Sequence, residues 1–182
     1  AHRVIEQSTM KAKHQGKVKF HNLKTVKTKP TELLVLNRNG ELALVDHEGR
    51  ELERHRIAQG AIITKEDGDA VDKDELFIRW DPYTTPILTE FSGIVRLEDV
   101  KPGVTMREEL DEATGLTNRI IVEHKGDFHP QVVIETDKGE LLAVYGLPMG
   151  AHVLIKEDQA VKTGDMIAKT ARKITQTKDI TG

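Results

Sequence analysis

One sequence pattern occurs twice in the chain, once in residues 60–78 and again in residues 150–168. Each copy begins with Gly-Ala, continues through a β-branched run and an acidic turn, and reaches Ala-Val before a second turn. A shorter match precedes each copy, in residues 15–20 and residues 92–97. Short β-branched runs separated by turn residues predict strands rather than helices. The duplication therefore predicts an all-β chain built from two copies of one small module.

The composition agrees with two small domains rather than one large core. The chain has 182 residues, of which 37% are hydrophobic and only 4% aromatic, so we expect two thin, aliphatic cores. Cysteine is absent, which excludes disulfides and thiolate metal sites and fits a reducing cytoplasm. No apolar run approaches the roughly 18 residues of a membrane helix, so no membrane partner is expected. The chain begins with Ala1, and we expect it to be a fragment of a longer polypeptide.

Basic residues are concentrated at the two ends, although the formal net charge is -3. These lysines are candidates for contact with a polyanion or an acidic partner: Lys11, Lys13, Lys17, Lys19, Lys24, Lys27, Lys29, Lys173 and Lys178. The alternative is a solvated basic edge strand that resists aggregation. We favour this alternative, because no aromatic or Gly-rich element of a single-strand-binding platform accompanies the lysines.

Alternating patterns and turn residues predict a succession of short strands. We expect them at 16–21, 32–37, 41–46, 51–57, 61–64, 75–79, 87–90, 93–98, 119–124, 131–136 and 140–145. The acidic residues 66–69 and 157–158 fall in equivalent turns of the two repeats, which favours a role in turn formation over catalysis. Residues 101–118 are rich in turn formers, and we expect an irregular excursion with one short helical turn.

Two prolines between Trp80 and Pro86 indicate the boundary between modules, because proline disrupts regular strand pairing. We expect the first module to span residues 16–85 and the second to span residues 86–171. Residues 1–14 hold the only plausible helix start but no core-facing apolar stripe. The segments outside the modules are therefore predicted to be a flexible, poorly packed region at 1–15 and an exit segment at 172–182.

No catalytic, cofactor-binding or metal site is predicted. Glu123, His124, Asp127 and His129 form the tightest group of metal-ligating residue types. A zinc site needs three or four convergent ligands and an ordered second shell, and nothing in this pattern provides them. We interpret the group as polar loop residues. Nucleophile elbows, phosphate loops and paired acid–base motifs are also absent from the sequence.

A carrier function is one alternative interpretation of the second repeat. Residues 134–138 resemble the hairpin of lipoyl and biotinyl carrier domains, in which a lysine at the tip bears the cofactor, and residues 161–168 resemble the second half of such a carrier. Gly139 departs from the carrier pattern, and the matching half before Ile134 is missing. We therefore interpret Lys138 as an exposed hairpin lysine within a shared barrel-sandwich geometry.

Four segments in order resemble the β′ subunit of bacterial DNA-directed RNA polymerase. They are residues 80–87 (WDPYTTPI), 92–103 (SGIVRLEDVKPG), 111–117 (DEATGLT) and 177–182 (TKDITG). No single segment is decisive, but their ordered combination is specific and extends across essentially the whole chain. The resemblance implies a lineage-specific insertion in the trigger loop, made of two tandem sandwich-barrel hybrid modules.

The resemblance also implies a non-catalytic role within a larger enzyme. The family's magnesium-binding aspartates have no counterpart here, so Mg²⁺ and zinc would be bound elsewhere in the parent nucleotidyltransferase. The implied partners are the β, α, ω and sigma subunits, the DNA template and the RNA transcript, in the bacterial cytoplasm with the nucleoid. The implied function is modulation of nucleotide addition, pausing and transcript cleavage. An independent nucleic-acid- or protein-binding β module is the alternative.

Overall fold

The computed structural model describes residues 8–172, and their regular structure consists entirely of β-strands. The strands in this range are β1 (Ser8–Lys11), β2 (Gly16–His21), β3 (Thr25–Lys29), β4 (Glu32–Val35), β5 (Gly40–Val45), β6 (Glu51–Ile57), β7 (Ile62–Ile63), β8 (Ala70–Val71), β9 (Leu76–Trp80), β10 (Thr84–Leu88), β11 (Gly93–Glu98), β12 (Met106–Asp111), β13 (Leu116–Ile121), β14 (Gln131–Glu135), β15 (Leu141–Gly146), β16 (His152–Val153), β17 (Ala160–Val161) and β18 (Met166–Ala171). The prediction of an all-β fold is confirmed. Within residues 8–172, no helix is long and apolar enough to span a bilayer.

The chain forms two compact units that are not quite continuous in sequence. Within residues 8–172, the first unit contains the residues up to Asp81 together with Leu88–Glu90 and Lys162–Asp165, and the second contains Pro82–Ile87, Phe91–Val161 and the residues from Met166 to Arg172. The sequence predicted continuous modules, with Leu88–Glu90 and Lys162–Asp165 in the second one, whereas in the structure both segments belong to the first unit.

The first unit is a sandwich of two antiparallel sheets. Their strand orders are β1-β9-β7-β4-β3 and β6-β5-β2-β8. Alternation along β2 shows how the core forms, because Val18 is buried while Lys17 and Lys19 point outward. Val18 packs in a cluster with Leu42 from β5 and Phe77 from β9. The core is mainly aliphatic, as the composition predicts.

The second unit repeats this arrangement with strand orders β10-β18-β16-β13-β12 and β15-β14-β11-β17. Its core is centred on Val95 of β11, Ile134 of β14 and Ile167 of β18, each fully buried. The two central pairs, β2 with β5 and β11 with β14, are antiparallel in both units. Both copies of the duplicated sequence therefore form the same type of sandwich, as predicted.

The repeats also match in their backbone conformation. Three equivalent pairs adopt φ in the left-handed region: Gly60 and Gly150 (88° and 89°), Gly68 and Asp158 (93° and 68°), and Asp74 and Gly164 (68° and 96°). Glycine and aspartate tolerate this region better than most residues do. Each repeat then forms two strands of two residues and one longer strand. These are β7, β8 and β9 in the first repeat and β16, β17 and β18 in the second. The strand-turn-strand path is thus the same in both.

The acidic turns of the repeats have a structural role in both units. The backbone N–H of Phe20 donates to Asp67 Oδ1 at 2.9 Å, and the backbone N–H of Leu97 donates to Glu157 Oε1 at 2.7 Å. Each carboxylate thereby ties the turn to the neighbouring central strand. The interpretation of these acids as turn residues agrees with this geometry.

Residues 8–12 differ from the poorly packed segment expected at the start of the chain. β1 pairs with β9, Met10 packs against the core, and Ala12 is fully buried. The sequence gives little sign of this, because β1 is short and polar and becomes ordered only through its partner strand. Residues 1–7 of the expected flexible segment lie outside the described part of the chain.

Two further expectations are wrong. The region 101–118 is largely a regular hairpin and not an irregular excursion, because β12 and β13 pair through six positions around a turn that contains Gly115 at φ 74°. The single helical turn expected there is present before β12, where the backbone N–H groups of Val104 and Thr105 donate to the carbonyl oxygen of Lys101. The prolines do not exclude pairing either, since Pro86 lies within β10. β10 is the outermost strand of its sheet, and an edge strand can accommodate a residue that has no N–H to donate.

Candidate polyanion-binding face

The outer surface of the sheet β6-β5-β2-β8 carries more cations than anions. We call this surface the basic face and define it by the following residues: Lys17, Lys19, His21, Glu41, Ala43, Val45, Glu51, Arg54 and Arg56. Strand alternation places them together, because the intervening residues Val18, Leu42 and Leu44 point into the core. The face has four Lys or Arg side chains and two carboxylates.

A row across three strands shows how the face is assembled. Lys19 on β2 is opposite Ala43 on β5, and Ala43 is opposite Arg54 on β6. Ala43 is fully buried although it faces outward, which is expected when the aliphatic stems of long neighbouring cations cover a small residue. The cations are thus held at the surface by the register of the sheet.

Arg54 engages both carboxylates of the face. Its guanidinium lies 2.6 Å from Glu41 Oε1 and 2.9 Å from Glu51 Oε1, and its Nη2 lies 3.4 Å from His21 Nε2. The hydrogen bond from Arg54 is the main reason that the pKa of Glu51 is lowered, and the hydrogen bonds to Glu51 and Glu41 raise the pKa of Arg54. Both carboxylates are therefore engaged by Arg54.

The remaining cations of the face are available to an external anion. Lys17, Lys19 and Arg56 are exposed, and none of them forms an ion pair with another residue in the 8–172 range. Four Lys or Arg side chains against two carboxylates leave the face with a formal charge of +2. Such a surface attracts polyanions through long-range electrostatics.

Only two of the nine predicted lysines, Lys17 and Lys19, belong to the basic face. Lys11, Lys13 and Lys24 are exposed at other places in the first unit, and Lys173 and Lys178 lie outside the described residues. Contact between any of the nine lysines and a polyanion remains a prediction.

The structure separates the two interpretations of the lysines by strand position. Lys27 and Lys29 lie on β3, which is the edge of its sheet, and they approach Glu66 at 3.4 Å and Glu32 at 3.9 Å. These two match a solvated basic edge. β2 is flanked by β5 and β8, so Lys17 and Lys19 are not on an edge strand.

Arg54 and Arg56 are members of the face that the sequence analysis did not identify. Their spacing of two residues within a predicted strand indicates a shared face, so part of the signal was present. Their proximity to Lys17 and Lys19 depends on β5 pairing with both β2 and β6. That order of strands is a tertiary property.

The equivalent face of the second unit has a different character. The row Lys19–Ala43–Arg54 corresponds there to Arg96, Val133 and Val144. Arg96 is paired with Glu135 at 3.1 Å and also contacts Asp158. The free positive charge is therefore a property of the first unit alone and not of the shared fold.

The histidine group considered as a metal site has other partners. His124 Nδ1 lies 3.0 Å from the carbonyl oxygen of Val122, and its Nε2 lies 3.2 Å from that of Phe128. The carbonyl oxygen of Val122, and to a smaller extent that of Phe128, raises the pKa of His124 because it stabilises the protonated ring. Across residues 8–172, no group of three or more His, Cys, Asp or Glu side chains is arranged to hold a metal ion.

Lys138 lies in the tight turn between β14 and β15. Its backbone N–H donates to Thr136 Oγ1 at 3.3 Å, and Gly139 adopts φ 85°. The side chain is exposed, which agrees with the interpretation as a hairpin lysine.

The whole chain is similar to one segment of bacterial RNA polymerase β′ subunits. It is 46% identical over 183 residues to the "DNA-directed RNA polymerase subunit beta'" of Methylacidiphilum infernorum (isolate V4), covering 100% of this chain and 13% of that protein. The β′ subunits of Koribacter versatilis and Syntrophobacter fumaroxidans are 42% and 40% identical, again over 100% of this chain. The chain thus spans about 13–14% of the length of these relatives. No protein-family model matches the chain. The resemblance inferred from the sequence is confirmed.

Proposed function

We propose that this chain, which is homologous throughout its length to one segment of the bacterial RNA polymerase β′ subunit, is a non-catalytic insertion in the trigger loop of that subunit. The observation that supports the proposal is the match of the entire chain to about 13% of a much longer relative. A pair of compact units with separate cores is the kind of structure that a loop can accommodate as an insertion. Its function is to modulate nucleotide addition, pausing and transcript cleavage.

The mechanism that we propose is a shift of a conformational equilibrium. A trigger loop alternates between a folded state over the nucleotide and an unfolded state, and closure of such loops commonly limits catalytic rate. An insertion biases this equilibrium only if its contacts with the surroundings differ between the two states. A difference of about 1.4 kcal/mol changes the ratio of the states tenfold, so modest contacts are sufficient.

The remaining assignments belong to the parent enzyme. We propose that the chain acts in the cytoplasm with the nucleoid, as part of a nucleotidyltransferase with the β, α, ω and sigma subunits, the DNA template and the RNA transcript. The parent enzyme would hold its Mg²⁺ and zinc outside this chain. Residues 8–172 contribute binding surfaces rather than reacting groups.

Deletion of residues 16–172 from the parent polymerase tests the proposal. Two versions of the deletion are made, each with a linker of a different length between the remaining ends. An effect shared by both versions comes from loss of the insertion and not from distortion of the loop. We expect the enzyme to assemble and form phosphodiester bonds, with altered elongation rate, pause lifetime and transcript cleavage for both linkers. An assembled enzyme that cannot form a single bond would contradict the non-catalytic role. Unchanged values for all three properties would contradict the regulatory role.

A second candidate function is an independent nucleic-acid- or protein-binding module, and the basic face supports it. Salt-dependent binding of the chain to nucleic acid is its direct test. A carrier function has less support, because Gly139 and the missing half before Ile134 depart from the carrier pattern, although Lys138 lies at an exposed turn position. The intact mass of the chain from its native cells would reveal a lipoyl or biotinyl adduct.

A further inference from the structure

We infer that the basic face binds the phosphate backbone of a nucleic-acid duplex without reading its sequence. The residues that carry the contact are Lys17 and Lys19 on β2 and Arg56 on β6. Binding of this kind is a property of the first unit, and it does not depend on where the chain sits in a larger protein.

The spacing of the cations suits a regular array of phosphates. Two residues along a strand rise about 6.8 Å, which is about twice the 3.4 Å axial spacing of charges on one nucleic-acid strand. β2 and β6 lie on either side of β5, so their cations form two parallel rows about 10 Å apart. The sheet fixes the Cα positions of these rows, whereas the exposed lysine and arginine side chains lose rotamer freedom when they bind.

The carboxylates on the face do not oppose this contact strongly. Glu41 and Glu51 both lie within ion-pair distance of Arg54, so this cation offsets one of their two negative charges. Lys17, Lys19 and Arg56 form no ion pair within residues 8–172, and the charge of Lys19 contributes to lowering the pKa of Glu51. An approaching phosphate meets three unpaired cations and one shared guanidinium.

The side chains between the cations favour a nucleic acid over a protein partner. Protein interfaces are centred on apolar and aromatic side chains, whereas the basic face offers only Ala43 and Val45 between its charges. Phe20, the nearest aromatic residue on β2, packs against the core instead. Single-strand binding relies on aromatic side chains that stack on bases, so the absence of Phe, Tyr and Trp from the face favours a duplex.

The fold does not require these cations. In the second unit, Ile94 occupies the position of Lys17, since each follows the glycine that begins its strand. Val144 occupies the position of Arg54. The same sandwich therefore forms with a cation retained only at the position of Lys19, where Arg96 is ion-paired with Glu135. The cations of the first unit are consistent with an external partner rather than with a folding requirement.

Fluorescence anisotropy with labelled 20-base-pair duplexes of two unrelated sequences tests the inference. The complete chain is titrated at salt concentrations from 20 to 200 mM. We expect equal affinity for the two sequences, and a slope of log K against log salt of about −3, since each neutralised phosphate contributes about −0.9. The triple variant Lys17→Gln, Lys19→Gln, Arg56→Gln should bring the slope close to zero.

A matched variant controls for net charge. Lys27→Gln, Lys29→Gln and Lys138→Gln together remove the same three charges from surfaces outside the basic face, so this variant should bind as the original chain does. Thermal unfolding of both variants verifies that each remains folded. The inference is overturned if the chain fails to bind duplex at 20 mM salt, or if the two variants lose affinity equally.

Competition separates duplex binding from the alternatives. Polyglutamate that displaces the duplex at equal charge concentration would assign the face to an acidic protein. A single-stranded oligonucleotide that binds more tightly than the duplex would contradict the proposed partner. The measurements use the chain alone, so their failure would not affect the outcome of the deletion experiment on the polymerase.

Discussion

A Cβ atom placed on Gly93 would lie only 2.5 Å from the carbonyl oxygen of Glu135. The first unit contains the same relationship, since a Cβ atom on Gly16 would lie 2.7 Å from the carbonyl oxygen of Val45. Each glycine begins the central strand of its four-stranded sheet. The two backbones can approach each other this closely only because glycine has no side chain between them.

Substitution of these glycines should destabilise one unit at a time. We expect Gly16→Ala and Gly93→Ala each to lower the free energy of unfolding by about 1–3 kcal/mol, because the added methyl group forces backbone to move. Trp80 is the single tryptophan and packs against the first core, so its fluorescence monitors unfolding of the first unit. Hydrogen exchange of the β11 and β14 amides monitors the second.

Gly146→Ala is the matched control for these substitutions. A Cβ atom placed on Gly146 would have no atom within 4 Å, and the φ of this glycine is not in the left-handed region. We expect no loss of stability, and a gain of up to about 1 kcal/mol from reduced freedom of the unfolded chain. Equal destabilisation by all three substitutions would contradict the close backbone approach.

Glu53 connects the segment after β1 to β6 and should make the first unit sensitive to acid. Its carboxylate lies 2.8 Å from His14 Nδ1 and 2.8 Å from His55 Nε2, and accepts from the backbone N–H of Lys13 at 3.0 Å. Burial opposes ionisation, but the hydrogen bonds from His55, His14 and Lys13 outweigh it and lower the pKa of Glu53. The stability that it contributes is therefore present above its ordinary pKa of 4.5 and lost as pH falls through the folded value.

We expect Glu53→Gln to lower the free energy of unfolding at pH 7 by about 1–3 kcal/mol, since it removes the charge from several hydrogen bonds. The difference from the original chain should shrink as pH falls below 4.5. Denaturant unfolding followed by Trp80 fluorescence at several pH values measures this. Glu108→Gln, at an exposed position, should have almost no effect. A difference that stays constant from pH 7 to pH 3 would contradict the role of the carboxylate.

His124 should titrate above its ordinary pKa of 6.5 in the folded chain. The carbonyl oxygens of Val122 and Phe128 accept hydrogen bonds from the protonated ring, which favours the charged form. A raised folded pKa means that the contribution to stability is complete below the unfolded pKa and is lost as pH rises through the folded value. Proton NMR of the ring signals measures the titration, and the same chain in urea is the control. A folded pKa at or below the value in urea would contradict this geometry.

Thr105 should stabilise the turn before β12 through its hydroxyl group. The side chain is fully buried, accepts from the backbone N–H of Lys101 at 2.7 Å and donates to the carbonyl oxygen of Asp99 at 2.6 Å. We expect Thr105→Val to cost about 1–3 kcal/mol and to accelerate hydrogen exchange of the Lys101 amide, because that donor loses its partner. Thr105→Ser keeps the hydroxyl and should preserve the slow exchange of this amide. Equally fast exchange in both variants would show that the methyl group of Thr105, and not its hydroxyl, protects the Lys101 amide.

The duplication could be predicted from the sequence because its signals are local. Gly60 and Gly150 adopt nearly the same φ, and Asp67 and Glu157 hold equivalent turns, since the conformational preferences of turn residues act within a few positions. The hairpin of β12 and β13 was missed for a related reason. β12 carries four charged side chains among six residues, so alternation did not reveal it, whereas the strand expected at 119–124 overlaps β13.

Residues 8–12 could not be assigned from local pattern at all. β1 becomes a strand by pairing with β9, and Ala12 is buried by a core whose members are far away in sequence. Pro86 shows the same limitation, because proline is tolerated in β10 only as a consequence of that strand's edge position.

The amino-acid sequence is sufficient to identify a duplicated β protein related to a segment of β′ subunits. It also places Lys17 and Lys19 on one face of a strand, because side chains alternate with a period of two. The pairing of distant strands was needed to show that Arg54 and Arg56 join them while Lys27 and Lys29 do not. The order and register of these strands are set by burial of the shared core, and this long-range selection brings the cations of β2 and β6 onto one surface.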